Sequence, residues 1–148
     1  EFNSDQSVLT VTLRSNLTYL SATLASSYDP GGGLPVIPRG ATLPGASKWQ
    51  VSNVLSYQWA GGPASPLLAL SHHYISKAPG DFAAGTPQGG YNEFDTRVTF
   101  HLDRVDLSAF AENIGNSHGV TSGSRIGGPL QQFVLRPLTI GLSVNARM

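Results

Sequence analysis

The 148 residues amount to one domain or a piece of a larger one, and only 12% of them are charged, against roughly 25% in ordinary globular domains. Nine basic and nine acidic residues cancel, so no net field points to nucleic acid or an acidic substrate. No window approaches the roughly 20 continuous apolar residues of a spanning helix, and a chain without cysteine has neither disulfides nor thiolate metal sites.

Along the chain the recurring pattern is two-residue alternation, the mark of half-buried strands. Leu9, Val11 and Leu13 alternate with Thr10, Thr12 and Arg14, and Ser15-Asn16 reads as a short turn into a second segment, Leu17 to Tyr28. Trp49 to Trp59 places Trp49, Val51, Leu55, Tyr57 and Trp59 on one side. Leu67 to Lys77 is looser, with Leu68, Leu70 and Tyr74 together. Phe94 to Leu102 sets Phe94, Val98, Phe100 and Leu102 against Asp95, Arg97, Thr99 and His101. Val105 to Ala111 and Leu138 to Met148 continue the pattern. This predicts an all-β antiparallel up-and-down meander of about seven strands in one domain, 1–148, without a helix.

Short connections (15–16, 60–65, 103–104) alternate with long Gly/Pro-rich ones (29–48, 78–90, 115–135). In a meander this gathers the short turns at one end and the long loops at the other. Three strands match the roughly 9 to 11 tilted residues that cross a bilayer. Trp49 and Trp59, ten positions apart on one face, match the spacing of two aromatic girdles about 25 Å apart. The pattern therefore predicts a transmembrane barrel, partial or small, with its apolar face toward lipid. The alternative is a soluble or secreted β-sandwich that binds a ligand or carbohydrate.

Three segments also carry a family resemblance. "FDTRVTFHLDRVDLSAFAENIGN" (94–116), "RPLTIGLSVNARM" (136–148) and "LPGASKW" (43–49) resemble the C-terminal barrel of TonB-dependent outer-membrane receptors, over about Leu43 to Met148. Members commonly end on Phe, where this chain has Met148. The resemblance implies a barrel segment in the bacterial outer membrane, contributing to energy-coupled uptake of a scarce nutrient such as an iron–siderophore complex. It implies lipid, the missing plug and the remaining strands as partners, with the nutrient caught by external loops. With no initiator Met and no signal peptide at Glu1, a mature or excised segment is expected, whose edges must find partners or associate.

No catalytic constellation, cofactor site or metal site is expected. His72 and His73 are adjacent strand residues and point to opposite faces. Ser117 and His118 have Glu112 as their nearest acid, on the preceding strand. The polar positions Asp95, Arg97, His101, Asp106, Glu112, Asn145 and Arg147 form the candidate lumen-facing set, and Trp49 and Trp59 the candidate girdle.

Overall fold

The computed structural model describes residues 8–60, 64–82, 86–125 and 129–146. Among the described residues ten strands form three separate sheets. The largest has six antiparallel strands: β1 (Val8–Tyr19), β2 (Trp49–Ala60), β3 (Leu67–Ile75), β6 (Tyr91–Leu102), β7 (Val105–Glu112) and β10 (Thr139–Ala146), adjacent in that order. The second is a two-residue ribbon of β4 (Ala78–Pro79) with β5 (Pro87–Gln88), and the third pairs β8 (Val120–Ser124) with β9 (Gln131–Val134).

The long connections 20–48, 76–90 and 113–138 all leave the same end of the six-stranded sheet, and the two-residue turn Asp103-Arg104 lies at the other. Register assigns the faces, because residues directly opposite in a ladder share one. Leu13, Leu55, Leu70, Thr96, Ala111 and Ile140 form one continuous row across all six strands. The adjacent row is Val11, Tyr57, Leu68, Val98, Ala109 and Leu142. The opposite face carries Thr12, Ser56, Ala69, Arg97, Phe110 and Gly141 in its corresponding row.

Several expectations are corrected. Among the described residues no barrel forms: closure requires a ladder between β1 and β10, and each pairs on one side only, β1 with β2 and β10 with β7. The sheet described is open along β1 and β10. Alternation separates two faces of a strand but carries no information on whether the sheet curls to meet itself. The expected meander of about seven strands becomes a sheet of six plus two small ribbons. Ser15 and Asn16 are not a turn. They sit inside β1, opposite Asn53 and Ser52, and the Ser15 hydroxyl donates to Asn53 Oδ1 at 2.5 Å. Beyond Tyr19 the predicted strand to Tyr28 survives only as isolated bridges, Thr23 to Thr42 and Tyr28 to Ile37.

Burial is concentrated at the loop end. Among the described residues, Ala46, Ala78 and Tyr91 are the buried hydrophobics, joined by Ser47, Thr86, Ser108 and Asn113. The apolar face of the sheet is uncovered, with Leu13 at 67%, Ile140 at 75% and Leu142 at 77% exposure. The chain exposes 10375 Å², where a compact monomer of its mass exposes about 7,200 Å².

Candidate functional site

The loop end contains an open groove of about 1150 Å³. Its first wall is the excursion 20–48, which folds back on itself through Tyr28 N to Ile37 O, Ile37 N to Tyr28 O and Leu24 N to Ala41 O, at 2.8 to 2.9 Å. Its tip turns on three consecutive glycines, Gly31 to Gly33, all with positive φ, a conformation that side chains with a Cβ rarely adopt. The Asp29 carboxylate accepts the Gly31 N–H at 2.8 Å. The chain then returns as Leu34-Pro35-Val36-Ile37-Pro38, whose prolines cannot continue a ladder and whose apolar side chains line the groove.

The second wall is Lys77 to Phe82 with Thr86 and Pro87, built on the β4–β5 ribbon. Gly45 N donates to Pro79 O at 2.9 Å and ties the two walls together. At Gly80 a Cβ would stand 2.2 Å from the Gly123 carbonyl, so this wall also packs directly on β8. Asp81 is committed internally, accepting the Thr86 hydroxyl at 2.6 Å and Arg125 N at 2.9 Å. Lys77 differs. Its aliphatic stem lies over Gly90, and among the described residues its ammonium has no ion-pair partner. Among its described lining residues the groove is thus predominantly apolar, with Lys77 as a cation outside any ion pair.

The polar face of the sheet holds most of the predicted polar set. Asp95, Arg97 and Glu112 line a shallow concavity of about 380 Å³ with Glu93 and Phe110. Asp95 accepts from the Ser71 hydroxyl at 3.1 Å and from Asn113 N at 2.8 Å, and the Arg97 guanidinium lies 4.9 Å from the Phe110 ring centre. Glu112 faces Arg136 at 3.6 Å in a largely exposed pair, an arrangement worth little in water. His101 Nδ1 and Asp106 Oδ1 are 2.8 Å apart near the turn end, with Asn145 opposite Asp106 on β10. Arg147 lies outside the described residues. Trp49 and Trp59 occupy the two ends of β2 on the apolar face, Trp49 against Tyr19 with ring centres 4.7 Å apart.

Three features escaped the sequence reading. Glu93 has its carboxyl raised above the usual range, first by burial and then by Asp95 and Glu112, with His73 opposing. Asn113, 1% exposed, joins the end of β7 to the following loop. Its Nδ2 donates to Ser117 O at 2.9 Å and Arg136 O at 2.8 Å, and its Oδ1 accepts Ser117 N at 2.8 Å. Ser117 is engaged in this structural clamp. Finally, His72 belongs to a polar row on the apolar face: Asn53 Nδ2 lies 3.1 Å from His72 Nδ1, and His72 Nε2 lies 2.9 Å from Asn92 Oδ1. His73 points to the other face, opposite Ser52 and Glu93. Among the described residues no three His, Asp or Glu side chains form a metal-binding group.

No helix of the described residues is long and apolar enough to cross a membrane. No family model, curated protein or solved structure matches the chain. The resemblance to TonB-dependent receptors therefore stands on short motifs alone, and the open sheet removes the barrel those motifs implied. With it fall the outer-membrane location, the lipid and plug partnerships and the reading as a siderophore transporter segment.

Proposed function

We infer that this chain is a ligand-binding β module whose ligand is a small amphipathic molecule with an apolar body and an anionic end. The observation that carries this reading is the loop-end groove. Its volume is slightly above the about 300–1,000 Å³ typical of small-molecule sites. Its lining of Leu34, Val36, Ile37, Phe82 and several prolines suits an alkyl or aromatic body better than a sugar, which needs a denser set of hydrogen-bonding side chains. Lys77 supplies the charge complement. The six-stranded sheet acts as the scaffold that holds the loops, and binding rather than catalysis is the activity.

Dodecanoate, with dodecanol as the uncharged control, is the test. Titration calorimetry below the micellar range should give a dissociation constant of about 10 µM to 1 mM, typical of a partly buried chain of this size. Lys77→Gln should weaken dodecanoate about five- to tenfold and leave dodecanol unchanged. Val36→Asp should abolish both. Amide shifts should fall in 28–42, 77–82 and 86–87. Shifts confined to the sheet strands, or full binding by Val36→Asp, would sink the reading.

A further inference from the structure

We propose that a second copy of this chain covers the apolar face of the six-stranded sheet, so that two chains together form a two-layer sandwich. The proposal is independent of the loop-end groove.

Four observations meet here. First, among the described residues this face stays exposed from Leu9 to Val144, and the two ribbons pack at the loop end, β5 against β8. Second, the area is adequate. Strands of 8 to 12 residues, at about 3.3 Å per residue and about 4.8 Å between strands, give six strands a plane of about 900–1,000 Å². A stable interface needs about 800 Å² per partner.

Third, charge is segregated. The apolar rows contain no Asp, Glu, Lys or Arg, whereas Arg14, Glu93, Asp95, Arg97, Asp106 and Glu112 all lie on the other face. Charge depletion marks the core of an interface. A partner matched to such a surface is itself an uncharged apolar sheet, and a second copy offers the same one.

The fourth observation is the polar row. Ser15 donates to Asn53, Asn53 to His72 through Nδ1, and His72 through Nε2 to Asn92. A neutral imidazole with its proton on Nε2 fits both of its contacts. Polar groups facing water have no need to bond one another, but a covered polar group must be bonded. This row can be buried without leaving its linking atoms unpaired. It also places one polar level in an otherwise uniform surface, and a covered polar position of this kind fixes register between layers.

Sedimentation of the purified chain tests the proposal. The expected species has twice the 15.6 kDa chain mass. Leu55→Glu, halfway along β2 on the apolar face, should weaken association at least 100-fold, and Ser56→Glu, on the opposite face, should not. Because the chain lacks cysteine, single cysteines report geometry cleanly. Leu70→Cys, on the third strand from an edge, should be joined by a short bis-maleimide, and its neighbour Ala69→Cys should not. The cross-link decides the matter even if Leu55→Glu fails to fold. A monodisperse monomer overturns the proposal. So does association that leaves Leu70→Cys unlinked, which would assign it to the free edges of β1 and β10.

Discussion

Asn113 is the residue whose replacement should cost the fold most for its size. It is buried, has a positive φ of 50°, and makes three side-chain hydrogen bonds to backbone atoms of Ser117 and Arg136. Each such bond contributes about 1 kcal/mol net, so Asn113→Ala forfeits about 3 kcal/mol. Forcing alanine into the left-handed region adds about 1 kcal/mol. The total of about 4 kcal/mol is a large share of the about 5–15 kcal/mol that holds a typical domain. Asn113→Gly removes the bonds without the backbone penalty and should cost about 1 kcal/mol less than alanine. Asn113→Asp keeps the acceptor for Ser117 N but turns an oxygen toward two carbonyls. It should be at least as damaging as alanine. Urea unfolding followed by Trp49 and Trp59 fluorescence, at one fixed protein concentration because association would contribute, reads all three. A loss below about 1 kcal/mol for alanine, or a wild-type Asp variant, would refute the clamp.

Glu93 has its carboxyl raised by burial and by neighbouring carboxylates. A folded-state value above the unfolded one means that its contribution is favourable at acid pH and is lost as pH rises through the folded value. Glu93→Gln should therefore stabilise the protein at neutral pH, and the gain should vanish below the ordinary carboxylate range; a gain that persists there points to a cause other than charge. Gly141 lies under the Phe110 ring, where a Cβ would stand 2.4 Å from Cζ. Gly141→Ala should displace that ring and break its stacking with Arg97, visible as loss of upfield shifts on the arginine side chain, at a cost of about 1–2 kcal/mol. At Gly89 the same test meets backbone. A Cβ would approach the Ser76 carbonyl to 2.4 Å at a φ of +71°, so Gly89→Ala should cost more than Gly141→Ala in the same urea assay.

The sequence made the strand faces legible, because alternation survives in the ladders from Leu9 to Val144. It made the separation of long and short connections legible too. Ser15-Asn16 reads as a turn because small polar residues are the usual turn formers, and only register brings Asn53 opposite Ser15. The ribbons β4–β5 and β8–β9 were missed because two- and four-residue pairings are too short to show a period. The groove was hidden for a different reason. Its walls are separated in sequence, and the one local signal was an apolar run, "LPVIP" (34–38), inside a segment whose glycines mark it as loop. Closure is not legible at all, since pairing between the first and last strands leaves no trace in either strand alone.

The order of strands in the large sheet follows the order of the chain, and this has a consequence for how the molecule assembles. β6 and β7 are joined by two residues, while β1 and β2 must close 20–48 between them. That longer closure costs about 2 kcal/mol more in chain entropy. Folding should thus nucleate on the β6–β7 hairpin and spread outward in both directions, with β1 docking late. Substitutions in β7 should slow folding, and those in β1 should chiefly speed unfolding.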